Sequence, residues 1–252
     1  METLKKLRIF NGNLLKILAA VFMLIDHAGM LLFPDKPWLR AIGRLSMPLF
    51  ALMIAEGCRY TRNKIKHFAL LFGLGVACQI VYTIFDPENV YLGILLTFSL
   101  STLIIYALQY AKLLLFKETA KNSERAVAIL LVLAMIAFSY LLCEIVTVDY
   151  GFWGIMLPVF ASIFDFHRLP APEKLKKLDC LPIQVACMLV AEILLIVTFF
   201  NPLFQLPALL AFPLLLLYNG EKGKANLKYF FYLFYPLHLG ILQGIVFLLN
   251  GF

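Results

Sequence analysis

Nine apolar stretches separated by short polar segments constrain this chain more than any other feature. They lie near residues 13–33, 38–57, 68–85, 90–111, 126–143, 150–165, 181–200, 204–218 and 229–249. A run of about 20 apolar residues matches the hydrocarbon thickness of a bilayer, where a single segment satisfies its backbone hydrogen bonds only as a helix. Composition agrees, since 62% of the 252 residues are hydrophobic and 15% are charged, against about 25% charged in soluble domains. The predicted fold class is all-α: a polytopic transmembrane helix bundle of about nine spans, with residues 1–252 as a single integral membrane domain.

Charge sorts the segments between the spans into two sets. The N-terminus with Lys5, Lys6, Arg8 and Lys16, then "CRYTRNKIKH", "AKLLLFKETAKNSER", "FHRLPAPEKLKKLD" and "NGEKGKANLK", carry 19 of the 22 Lys and Arg residues. "PDKPWLR", "DPENV", "CEIVTVDYG" and "FNPLFQLP" hold only Lys36 and Arg40, with Arg44 inside the second span. Because basic loops stay in the cytoplasm, this alternation puts the N-terminus inside and the C-terminus outside. Spans six and eight are short and contain Pro158 and Pro213. Span six has acidic residues before it and a basic loop after it and should cross, whereas a single hairpin for spans seven and eight would upset no charge, so the count ranges from seven to nine. Residues 1–16 resemble a basic signal region, but Asp26 and His27 interrupt the following run and no cleavage site follows, which predicts an uncleaved first span.

The remaining composition points to packing. Cys58, Cys78, Cys143, Cys180 and Cys187 have no metal-ligand spacing. Tyr82, Tyr91, Tyr150, Trp38 and Trp153 fall near the outer boundary and Tyr60, Tyr110, Tyr218 and Tyr229 near the inner one, as an aromatic belt does. His67 and His167 sit in basic loops and are expected to be solvated.

Asp26 and His27 stand out because an ionisable group inside a span costs at least about 2.5–3.5 kcal/mol and so calls for a partner or a purpose. The short "PDKP" turn makes spans one and two antiparallel neighbours, so residues at equal depth share a sequence midpoint. Asp26 or His27 can therefore meet Arg44, and Lys16 can meet Glu56. Lys16 and His27 are eleven residues apart, three helical turns, which places them on one face about 16 Å apart. In the last span His238 follows Pro236, which cannot donate a backbone hydrogen bond and kinks the helix. Glu192 also lies deep, in span seven.

Three segments, "LKILAAVFMLIDHAGMLLFP", "LRAIGRLSMPLFALMIAEGCRYTRN" and "FYLFYPLHLGIL", resemble the hallmark segments of the TraX family. Its namesake is the inner-membrane protein that acetylates the N-terminus of conjugative pilin. The resemblance is strongest over residues 14–67 and 229–241. The family is similar in turn to the acyltransferase-3 type of membrane acyltransferases, in which a basic residue, ten residues and then a histidine occupy the first span. Lys16 and His27 match that spacing, with lysine where arginine is commoner.

The resemblance implies transfer of an acetyl or other acyl group from cytoplasmic acyl-CoA to an acceptor at the outer face, in a bacterial cytoplasmic membrane. Acetyl-CoA is the implied donor, without a metal or nucleic-acid partner. The acceptor is a pilin N-terminal amine or an envelope sugar. Acyl transfer needs a base, and His27 beside Asp26 has that chemistry. It needs donors facing the developing oxyanion, for which Arg44 is placed. Lys16, Arg59 and Arg62, with Glu56, lie where the donor's phosphates would sit, and His238 would position the acyl group or act as a second acid–base group. The alternative is a small proton-coupled transporter with Asp26, His27, Arg44, Glu56 and Glu192 as its relay. Against it, no inverted repeat is visible and the ionisable residues cluster in the first hairpin. A purely structural membrane partner would leave Asp26 and His27 unexplained.

Overall fold

The computed structural model describes residues 8–85 and 91–250. Lys5, Lys6, the outer segment at 86–90 and the side chain of Tyr229 lie outside the described residues. Among the described residues, six helical stretches are long and apolar enough to cross a membrane, with Pro37–Tyr60 counted as one, and shorter apolar stretches lie at Gly151–Ala161, Pro202–Leu216 and Leu233–Leu249. The chain is an all-α polytopic membrane protein.

It packs as two compact units, one of Met1–Met53, Val76–Asn89 and Ile196–Phe252, the other of Ile54–Gly75 and Val90–Leu195. The first unit opens with α1, Gly12–Leu31. Asn11 caps it by accepting the Leu14 amide at 3.0 Å, which satisfies one of the donors that a helix start leaves free. The next amides are taken by a distant loop: Gly12 donates to the Glu221 carbonyl at 2.7 Å and Asn13 to the Lys222 carbonyl at 3.0 Å. Asn13 also donates its side-chain Nδ2 to the Ala225 carbonyl at 2.6 Å. Gly223, at φ +91°, lies so close to Asn11 and Asn13 that a Cβ there would overlap both amides.

After the "PDKP" turn the chain forms α2, Pro37–Gly43, and then α3, Ser46–Tyr60, which from Ile54 onward belongs to the second unit. Sequence predicts one continuous span over 38–57, whereas the helix breaks at Arg44–Leu45. Pro48 explains the break: it has no amide to bond the Arg44 carbonyl, and its ring crowds that oxygen. The antiparallel contact between α1 and α2 is made through glycine. A Cβ on Gly29 would come within 2.7 Å of Leu39 Cβ, and one on Gly43 within 2.5 Å of the Asp26 carboxylate.

The predicted eighth span is three short pieces: α10 at Pro202–Gln205, a 3₁₀ turn at Leu206–Leu210 and α11 at Ala211–Leu216. Pro207 and Pro213 each remove an amide from what would otherwise be one helix. The unit closes with α12, Lys228–Asn250, which carries Pro236.

The second unit holds α4, Lys64–Phe85 (shared with the first unit), α5, Ile94–Phe116, α6, Asn122–Ile145, α7, Gly151–Ala161, the single-turn α8, Glu173–Lys176, and most of α9, Leu181–Thr198. Two-residue strands β1, Tyr91–Leu92, and β2, Thr147–Val148, pair in parallel. Its core gathers Cys58, Ile104, Ile105, Val148, Ile155, Met156 and Val159. Small hydroxyl residues let α5 approach α7, and Ser101 donates to the Ile155 carbonyl at 2.7 Å. The cysteines are free, with Cys58 and Cys78 buried.

Candidate functional site

The ionisable residues of the first hairpin converge in the first unit. Asp26 is buried on α1. Arg40 and Arg44 stand one turn apart on and just beyond α2, so both reach the same side of that helix. Arg40 Nε donates to Asp26 Oδ1 at 3.0 Å and Arg44 Nη2 to the same oxygen at 3.3 Å. Of the two pairings expected for Arg44, the structure forms the one with Asp26. Gly43 makes it possible, because any side chain there would occupy the carboxylate's place. Phe204 of α10 lies beneath both guanidiniums, its ring centre 5.4 Å from Arg40 Cζ and 4.6 Å from Arg44 Cζ. An aromatic face so placed stabilises a desolvated cation.

His27, the next residue on α1, turns to α12. Its Nδ1 lies 2.9 Å from Nε2 of His238, with the two rings 5.0 Å apart and inclined by 24°. His238 is buried, and its Nδ1 is 2.8 Å from the Phe234 carbonyl. The Phe234 ring stacks on it at 4.8 Å, and Tyr235 meets its edge at 5.6 Å. Two imidazoles, one carboxylate and two guanidiniums from α1, the α2 end and α12 thus gather around residues 26 and 27. That set can move a proton and stabilise a developing negative charge.

Lys16 lies on α1 towards its capped end, half-buried, with Lys222 in electrostatic reach. The lysines are brought together because the loop that carries Lys222 supplies the carbonyls bound by Gly12 and Asn13.

The sequence matches the family model described as TraX protein over residues 11–246. The chain belongs to the TraX family. It is 29% identical over 242 residues to a probable fimbrial assembly protein, FimC of serogroup H1, from Dichelobacter nodosus, covering 92% of this chain and 94% of that protein. An uncharacterized protein of Rickettsia prowazekii (strain Madrid E) is 28% identical over 156 residues, 62% of this chain and 56% of that protein. No solved structure matches.

In this TraX-family chain, the other residues singled out from the sequence fall in the second unit. Arg59 pairs through both terminal nitrogens with the two oxygens of Asp179, Nη2 to Oδ2 at 3.1 Å, and lies 3.6 Å from Asp165. Asp179 also accepts the Phe166 amide at 3.1 Å and Gln184 Nε2 at 3.3 Å. Arg59 is therefore held by carboxylates of its own unit, and Glu56 lies within its electrostatic reach. Arg62 is exposed. Lys112, expected in a solvated basic segment, is buried on α5 and donates to the carbonyls of Ser162 at 2.7 Å and Asp165 at 3.1 Å.

Two histidines depart from the solvated role expected of them. His67 is half-buried, with Nδ1 2.7 Å from the Tyr106 hydroxyl. His167 packs edge-on to Tyr60 at 5.0 Å. Burial first, then the Arg59 and Arg168 cations, push its imidazole below the ordinary histidine value.

Sequence reasoning did not find Arg40 or Phe204, nor the partnership of Lys222 with Lys16 and of His238 with His27. Arg40 carried a usable signal, since it stands four residues before Arg44 on one helix. Phe204, Lys222 and His238 approach from elements about 160 to 210 residues away, and no local spacing encodes such contacts.

Proposed function

We propose that this protein is an integral membrane acyltransferase that moves an acetyl or other acyl group from cytoplasmic acyl-CoA to an acceptor at the outer face. The observation that carries the reading is the meeting of His27 and His238 beside the Asp26–Arg40–Arg44 ion cluster in one unit. A base and a cationic donor within a span are what acyl transfer between a thioester and an amine or hydroxyl requires.

In this reading His27 takes the acceptor's proton. Arg44, held by Asp26 and by the Phe204 face, presents its guanidinium toward the thioester oxygen as that oxygen gains charge. Lys16 and Lys222 receive the phosphates of CoA at the cytoplasmic end. Arg59, engaged by Asp179, instead ties together the elements of the second unit. The family and the fimbrial relative favour a pilin-type acceptor with a free N-terminal amine, in the bacterial inner membrane.

The test is acetyl-CoA turnover by the detergent-purified full-length protein, with a short peptide bearing a free N-terminal amine as acceptor. Acetylated peptide and stoichiometric CoA are expected, and His27→Ala should abolish both while the protein stays folded. Proton-coupled solute uptake in vesicles, with acetyl-CoA neither bound nor cleaved, would instead establish a transporter.

A further inference from the structure

The hydrogen bond between His27 and His238 has a direction, and a third group sets it. His238 Nδ1 lies 2.8 Å from the Phe234 carbonyl. A carbonyl oxygen only accepts, so His238 Nδ1 carries the hydrogen. A neutral imidazole has one N–H, which leaves its Nε2 bare. The 2.9 Å contact between His27 Nδ1 and His238 Nε2 is then donated by His27. Nε2 of His27 is left with its lone pair, and among the described residues no hydrogen bond reaches it.

We propose that His238 is a positioning residue that fixes the tautomer of His27 and makes Nε2 of His27 the nitrogen that accepts the proton. The proposal rests on the acyl-transfer reading. Asp26, the neighbour in sequence, is not the orienting group: its carboxylate is bound by Arg40 and Arg44. An unconstrained imidazole side chain favours the opposite tautomer, with hydrogen on Nε2, which cannot act as a base at that atom.

The step balances without a co-reactant. The acceptor's nitrogen or oxygen attacks the thioester carbonyl carbon while its proton passes to Nε2 of His27. The C–S bond then breaks, the acyl group stays on the acceptor, and the departing sulfur takes the proton back from Nε2 to give free CoA. Throughout, Nδ1–H of His27 stays bonded to His238, which steadies the ring when it carries positive charge.

Two substitutions separate this role from packing. In His238→Gln the side-chain amide oxygen reaches the place of Nε2 and accepts from His27. In His238→Asn the shorter amide still donates to the Phe234 carbonyl but does not reach His27. The full-length protein in detergent, with ¹⁵N-labelled histidine, reports which ring nitrogen of His27 is protonated. CoA release from acetyl-CoA, to the peptide or to water, gives kcat and KM.

Wild type and His238→Gln are expected to show a bare Nε2 and comparable kcat. His238→Asn should move the proton to Nε2 and lower kcat by about 100-fold or more, with KM for acetyl-CoA little changed. A protonated Nε2 in the wild type, or wild-type kcat in His238→Asn, overturns the proposal. A wild-type protein that shows the bare Nε2 yet releases no CoA overturns the acyl-transfer reading itself, and His238's role in it.

Discussion

At Asp26 a single carboxylate oxygen accepts from two guanidiniums that differ in exposure: the Arg44 side chain is 6% exposed and that of Arg40 24%. Removing one member of a buried charge set leaves the others uncompensated, at about 3–5 kcal/mol, whereas a pair nearer solvent is screened and contributes less. Asp26→Asn should therefore destabilise the protein by about 3–5 kcal/mol in denaturant unfolding in detergent. Arg40→Gln should cost clearly less, and equal losses would mean that burial does not grade this cluster. Residue by residue, the ionisable positions themselves stood out in the sequence, since Asp26, His27 and His238 interrupt runs of apolar residues. Their partners did not. Midpoint symmetry across the first turn reaches Arg44 but stops at the turn, and Arg40, where the outer segment overlaps the start of the second span, counts there only as a loop charge.

Among the elements, α2 depends on glycine for its approach to α1. Gly43→Ala places a methyl group on the Asp26 carboxylate, so either the helices separate or the ion cluster rearranges. The expected outcome is loss of most CoA-releasing activity with the helical circular dichroism signal kept. Retained activity would show that the close approach is dispensable. Arg59 makes a different prediction. Its role is to hold the loop at 165–179 against α3, and Arg59→Ala leaves Asp165 and Asp179 with hydrogen-bond donors but without the guanidinium that balances their charge. A loss of about 3–5 kcal/mol in unfolding free energy is expected, with CoA affinity in the surviving folded protein close to wild type; a selective loss of CoA affinity would return Arg59 to the donor site.

Hydropathy located the apolar segments well at this scale, because lipid imposes length and apolarity on each of them independently of its neighbours. It missed the break at Arg44–Leu45 and the three-piece form of Pro202–Leu216. Both are proline effects on local hydrogen bonding within segments that remain apolar throughout.

For the whole molecule, the groups assigned to chemistry all belong to the first unit: Lys16 and Lys222, then Asp26, Arg40 and Arg44 with Phe204, then His27 and His238. The separation along α1 between the lysines proposed to bind phosphate and the histidines, about 16 Å for Lys16 and His27, suits a donor whose charged end and reactive thioester lie far apart. Lys222→Gln should weaken CoA binding about three- to tenfold, as expected for one charge-assisted contact to phosphate, and leave binding of the phosphate-poor fragment pantetheine unchanged. Equal weakening of both would place Lys222 elsewhere. The pairing of Lys222 with Lys16 and of His238 with His27 was beyond the sequence because it depends on the last two segments folding back on the first.

The central claim is that His27 is the base of an acyl transfer from CoA, and the most direct test is acetyl-CoA binding with simultaneous CoA release by wild-type, His27→Ala and Lys16→Ala proteins. The account predicts that Lys16→Ala weakens binding, while His27→Ala binds acetyl-CoA as the wild type does and releases no CoA. Full release by folded His27→Ala protein, or no binding by the wild type, would contradict it.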